Sequence, residues 1–188
     1  MRLLLGVTGG IAAYKAADLV SKAVKAGCEV RVVLTANATR FVTPLTFEAL
    51  SGQPVLSDLW SEGTGAGPSP IAHIAWAKWA EVACVAPLTA STLARLTHGL
   101  ADDALSTVWL ALPARVPSLL CPAMNTEMWN NPAVQRNVAL LAADGRHTLL
   151  PPVEKRLACG DTGPGALAET DDILAALLAL ARPQSTGA

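Results

Sequence analysis

The stretch RLLLGVTGGIAAYK, residues 2–15, decides the fold. Its first six residues, 2–7, form a short apolar run with the character of a strand buried on both faces. A turn containing adjacent glycines follows, and residues 11–26 then carry a helical pattern. The same unit recurs along the chain. Further strands are expected at 29–35, 82–86, 116–121 and 146–150, and further helices at 44–50, 88–97, 102–111, 132–143 and 170–181. The last helix opens among Glu169, Asp171 and Asp172, whose charge suits a helix N-terminus. Such alternation predicts an α/β protein, a doubly wound parallel sheet with right-handed crossovers. It does not fix the order of the strands.

The chain has 188 residues, the size of one ordinary domain, with 15 acidic and 14 basic side chains and a net charge of −1. That balance argues against a sequence-independent nucleic-acid binder, which needs a surplus of cations. Apolar residues make up 52% and charged residues 15%, against the ~25% charged usual in soluble domains, so intrinsic disorder is excluded. No apolar run approaches the ~18–20 residues that span a bilayer. The apolar excess predicts self-association. The N-terminus runs straight into a strand without the features of a secretory signal, and the four cysteines (28, 84, 121 and 159) form no close pair of the kind metal sites use. A cytoplasmic protein without a metal is expected.

Two stretches interrupt the alternation. SEGTGAGPSP, 61–70, reads as a flexible loop, and PPVEKRLACGDTGPG, 151–165, as a second loop of lid-like length. Residues 1–182 are expected to form a single domain, with 183–188 a disordered tail.

The first turn constrains the ligand. Adjacent Gly9 and Gly10 allow close backbone approach, and the helix start offers amides to a phosphate, although a plain tight turn has the same residues. The dinucleotide fingerprint GxGxxG is absent. So is the acidic residue that would bind the ribose of NAD, since the second strand ends at Leu34-Thr35-Ala36-Asn37. Small hydroxyl and amide groups suit a mononucleotide such as a flavin phosphate. After the third expected strand, Thr89, Ser91 and Thr92 supply hydroxyls to a helix start, as caps or as ligand contacts.

Three positions carry candidate chemistry. His73 lies between apolar neighbours just after the first loop, where a structural role is the commoner one. Asn125 follows the fourth expected strand, where an amide orients a polar group or makes a turn. Cys159 sits in the second loop beside Lys155 and Arg156, cations that would lower a thiol pKa. The other three cysteines fall in apolar segments and read as core.

Taken together, GGIAAYK at 9–15, the isolated His73, APLTA at 86–90, PAMNTEMW at 122–129 and RLACGD at 156–161 resemble the phosphopantothenoylcysteine decarboxylase family, homo-oligomeric flavin-containing cysteine decarboxylases. The resemblance runs from about residue 3 to 169. It implies a Rossmann-like, flavoprotein-type sheet and FMN held by Gly9, Gly10 and Ile11, by Thr35 and Asn37, and by Thr89, Ala90, Ser91 and Thr92, with Ala123 beside the flavin. His73, Asn125 and Cys159 fall on the family's catalytic positions. Asn125 matches the carboxylate-binding asparagine, and Arg156 and Ala158 match lid positions over the substrate.

The implied small-molecule substrate is 4′-phospho-N-pantothenoylcysteine and the product 4′-phosphopantetheine, on the route to coenzyme A. Oxidation of the thiol to a thioaldehyde supplies the electron sink that carbon dioxide loss requires, and the electrons return afterwards, so no external nicotinamide is needed. His73 would assist thiol deprotonation and Cys159 would donate the final proton. Ser91 stands where the family commonly has asparagine, which changes that flavin contact. The resemblance further implies a homotrimer, in some members a dodecamer of trimers, with the flavin between subunits. A ligase that attaches cysteine is expected either as a separate protein or fused, as in bacterial relatives. Within the same flavoprotein group, a peptidyl-cysteine decarboxylase or a flavin prenyltransferase is the alternative, and a non-catalytic FMN-binding regulator is another. The cysteine-bearing ACGD segment favours the decarboxylase.

Overall fold

A computed structural model describes residues 1–60, 71–156, 160 and 162–181. β1 (Arg2–Val7), β2 (Glu29–Leu34), β3 (Val55–Leu56), β4 (Val82–Leu88), β5 (Ser118–Pro122) and β6 (His147–Leu149) form one parallel sheet in the order β3-β2-β1-β4-β5-β6. The order reverses direction between β1 and β4, and a crevice opens at such a switch point beyond the carboxyl ends of the strands.

Alternation along the central strands sorts the core into two layers. Leu3, Leu5 and Val7 of β1 face α1 (Ala13–Lys25), α2 (Pro44–Ser51) and α8 (Thr170–Leu180), joined there by Val30, Val32 and Cys84. Leu4, Val33, Val85 and Leu120 face the opposite way, onto α3 (Ala72–Trp79), α4 (Ala90–His98), α5 (Ala104–Leu110) and α7 (Pro132–Ala143). Strands covered on both sides have no polar face to show, which explains their unbroken apolar sequence. Cys28, Cys84 and Cys121 are buried, as expected for core residues, and burial pushes the Cys84 thiol well above its ordinary pKa.

The expected elements are present, with shifted ends. β4 runs on to Leu88, which pairs with Pro122, so α4 starts at Ala90 rather than at 88. β5 starts at Ser118 because the Val116 amide is taken by a turn to the Pro113 carbonyl. Elements not expected include β3, of only two residues; a 3-10 turn at Ala38–Arg40; α3, which carries His73; and the short α6 (Thr126–Asn130). The segment 151–165 holds most of an antiparallel hairpin, β7 (Val153–Arg156) with β8 (Thr162–Ala166), and is thus not an irregular loop. Its Pro and Gly content hid the pairing, yet β8 uses Gly163 to approach α6. A Cβ at that position would lie 2.8 Å from the Thr126 hydroxyl oxygen. The first expected loop, 61–70, and the tail, 183–188, lie outside the described residues.

At the opposite end of the sheet from the crevice, Ser118 and His147 share a 2.6 Å hydrogen bond between neighbouring strands, and the His147 ring lies 5.6 Å from that of Trp109. Burial, reinforced by Arg146, holds the His147 pKa below its ordinary 6.5. The unfolded chain therefore binds a proton at that ring more readily than the folded one, and stability falls as pH drops below about 6.5. Thermal melts should show this loss before carboxylates titrate near ~4. A His147→Gln variant should melt with a flatter profile in that window, and an unchanged slope would remove His147 as its source.

Candidate active site

At the switch point one hydroxyl joins the two loops. Thr8, fully buried after β1, donates through Oγ1 to the Pro87 carbonyl at 2.7 Å and accepts from the Thr89 amide at 3.0 Å. No role was expected for Thr8; a hydroxyl placed immediately before the glycine pair was the signal for it. Next to it, Gly9 packs so closely on the loop after β2 that a Cβ would fall 2.3 Å from the Asn37 Cβ. Gly10 is different, for its Cβ would meet only the Thr89 methyl, at 3.5 Å. Gly9 is thus required by packing within the protein, whereas Gly10 borders open space.

That space is a cavity of about 510 Å³, within the ~300–1,000 Å³ typical of small-molecule sites. Gly9, Gly10 and Ile11 form one wall, Thr89 and Ala90 a second, and Ala123 and Asn125 a third. Arg156 reaches it from β7. Thr35 and Asn37 act from behind: the buried Thr35 hydroxyl accepts from the Ala38 amide at 3.3 Å, and Asn37 braces Gly9. Ser91 accepts from Arg95, and Thr92 is buried within α4, so neither lines the cavity. Ala158 and Cys159 lie outside the described residues.

His73 is in the first turn of α3, on the crossover that leads into β4, and it is not part of the cavity lining of this chain. Asn125, by contrast, is doubly fixed. Its Oδ1 caps α6, accepting from the amides of Glu127 at 2.8 Å and Met128 at 3.4 Å, which fixes the orientation of the side chain at the cavity wall. The neighbouring Met124 amide donates to the Gly165 carbonyl at 2.9 Å and so ties the hairpin to this turn.

The charge of the lining is one-sided. Lys15, Lys155 and Arg156 contribute to it, and no carboxylate does among the described residues. Sequence reasoning gave Lys15 no site role, although it closes the GGIAAYK motif, and gave Lys155 only an influence on the Cys159 thiol. Lys155 pairs with Glu169, and this contact, helped by Lys15, holds the Glu169 carboxyl below its ordinary pKa. The amides of Ile11 and Ala12 precede the first helical turn, where backbone N–H groups have no intrahelical acceptor. A cationic cavity bordered by a helix start and an unobstructed glycine fits an anionic mononucleotide. No group of three or more potential metal ligands occurs among the described residues, and no helix among them is long and apolar enough to cross a membrane.

A protein-family model described as Flavoprotein matches residues 1–182, and the chain belongs to that family. Within it, the chain is a homologue of the phosphopantothenoylcysteine decarboxylases. It is 47% identical over 173 residues to a probable phosphopantothenoylcysteine decarboxylase of Streptococcus mutans, covering 92% of this chain and 94% of that protein. It is also 47% identical to the coenzyme A biosynthesis bifunctional protein CoaBC of Bacillus subtilis over 92% of its own length, but spans only 41% of that protein. Among solved structures, a PPC decarboxylase cysteine-to-serine mutant complexed with pantothenoylaminoethenethiol superposes with a TM-score of 0.82 at 34% identity, covering 95% of this chain and 96% of the other. The FMN binding protein AtHal3 gives 0.78 at 34% identity, covering 100% and 98%. The expected α/β flavoprotein fold is borne out.

Replacing Thr8 with Val keeps the shape but strands the Pro87 carbonyl and the Thr89 amide. A loss of about 2–3 kcal/mol is expected in chemical denaturation, and a variant as stable as the parent would show that the two loops do not depend on this hydroxyl.

Proposed function

We propose that this protein decarboxylates 4′-phospho-N-pantothenoylcysteine to 4′-phosphopantetheine in coenzyme A biosynthesis, with FMN as its cofactor. The observation that carries the reading is Asn125, an amide fixed by its own helix cap at the edge of a cationic cavity, within a chain 47% identical to a probable decarboxylase of this kind. The backbone at Gly9, Gly10 and Ile11 would hold the flavin phosphate, with Thr89, Ala90 and Ala123 along the cofactor and Thr35 and Asn37 supporting the turn. Contacts from Ser91 and Thr92 would be indirect, through the shape of α4. Bound FMN supplies a two-electron acceptor and donor that the side chains of this protein lack.

The protein's own groups do the rest. Asn125 orients the substrate carboxylate through N–H donors, without the full charge that would favour the carboxylate over the neutral carbon dioxide it becomes. His73 takes the thiol proton. Cys159 returns a proton to carbon after carbon dioxide has left, and Arg156 and Ala158 cover the substrate and exclude water. Because His73 does not line the cavity of its own chain, a homotrimer with the flavin between subunits would bring a neighbour's His73 to it. Ile11 and Tyr14, about 60% exposed at the cavity rim, supply apolar surface for that contact. A cytoplasmic location, and work alongside a ligase that makes the substrate, complete the reading.

Incubation of the FMN-loaded protein with phosphopantothenoylcysteine, followed by mass analysis, should show loss of one carbon dioxide. Recovery of unchanged substrate would refute the assignment. Asn125→Asp retains a cap for α6 but sets a negative charge and no donor against the substrate carboxylate. Turnover should fall by at least about a hundredfold while the melting temperature holds; near-normal turnover would remove Asn125 from carboxylate binding. Cys159→Ser should accumulate the oxidised aminoenethiol, and full conversion to product by that variant would exclude Cys159 as the proton donor.

A further inference from the structure

On the reading above, three anionic groups enter one cavity: the flavin phosphate, the substrate carboxylate and the substrate's terminal phosphate. The Gly9–Gly10 turn and Asn125 address the first two. For the third, the lining offers cations that are not equivalent. Lys155 lies on β7 opposite Gly163, whose contact with Thr126 seats the hairpin on α6, beside the Asn125 cap. Its backbone is therefore positioned, while its side chain is 48% exposed and can change rotamer. Its partner Glu169 is 49% exposed, stands just before α8, and is not itself part of the lining.

We propose that Lys155 is the specificity residue for the substrate's terminal phosphate, and that Glu169 is a placeholder whose carboxylate gives up the ammonium when the phosphate arrives. The proposal rests on the decarboxylase reading. The exchange costs little, because an exposed ion pair is weak and Glu169 is rehydrated as Lys155 leaves it. A phosphate brings close to two negative charges and three acceptor oxygens where the carboxylate brings one charge and two. Lys15, near enough to Glu169 to lower its pKa, adds positive potential on the same side. A ligand with a free hydroxyl in place of the phosphate would leave the Lys155–Glu169 pair closed and gain nothing from it.

The test is calorimetric binding of 4′-phosphopantetheine and of pantetheine to the FMN-loaded protein and its variants, with carbon dioxide loss from phosphopantothenoylcysteine assayed in parallel. The unsubstituted protein should bind the phosphorylated compound at least about tenfold more tightly. Lys155→Ala should erase most of that preference while leaving pantetheine affinity within about twofold, and Lys155→Arg should keep much of it. Glu169→Gln separates a placeholder from a simple structural brace. A placeholder predicts tighter binding of the phosphorylated compound, by about two- to threefold, and no such gain when Lys155→Ala is also present. A brace predicts weaker binding of both compounds. A full preference retained by Lys155→Ala, or weaker phosphate binding in Glu169→Gln, overturns the proposal even if decarboxylation proceeds. Absence of decarboxylation by the unsubstituted protein overturns the functional reading, and this proposal with it.

Discussion

The fold turns on the Thr8 hydroxyl. At the point where the strand order reverses, the loops after β1 and β4 part to opposite faces of the sheet. Divergence opens a crevice, but nothing in parallel pairing fixes its width. One buried oxygen does so here, donating to Pro87 and accepting from Thr89. The glycine turn and the start of α4 are thereby held at a constant separation. Gly9 against Asn37 fixes the third side, since any side chain at Gly9 would collide with that loop. The geometry that a phosphate would meet is set by contacts the phosphate never makes.

Over this rigid frame lies a more adjustable part. The β7–β8 hairpin stands apart from the main sheet, and its contacts with the rest of the described residues include Met124 to Gly165, Gly163 to Thr126 and Lys155 to Glu169, besides Val153 packed on the core. The first is a backbone hydrogen bond and the second a close steric approach, both of which suit positioning. The third is an exposed ion pair, which suits exchange. On the proposed reaction, the substrate carboxylate leaves as neutral carbon dioxide while the terminal phosphate stays on the product, and a site for that exchange benefits from both kinds of contact. Asn125 sits where they meet, capping α6 on one side and facing the cavity on the other.

Much of this was legible in the residues. Continuous apolar runs such as 2–7 marked buried strands, and the missing acid after Leu34 argued against an NAD-type site. The motif at 122–129 pointed to Asn125 before its cap was visible. What stayed hidden had physical reasons. A two-residue strand such as β3 has no period to detect. The hairpin was masked by Pro164 and three glycines, residues that argue against strands in general but here allow close packing on α6. The separate duties of Gly9 and Gly10 depend on Asn37, more than two dozen residues away, and adjacent glycines read alike in sequence. The inward and outward turns of Thr92 and Ser91 depend on Arg95 and the core, which no local pattern reports.

The central claim is that the crevice made by Thr8, Gly9 and Asn125 is the flavin site. A crystal structure of the purified protein grown with FMN tests it most directly. The account predicts the phosphate over the amides of Ile11 and Ala12, beside Gly10, and the flavin ring beside Ala123, within the cavity that Asn125 borders. Flavin bound elsewhere on the protein, or a cavity that stays empty at saturating FMN, would contradict it.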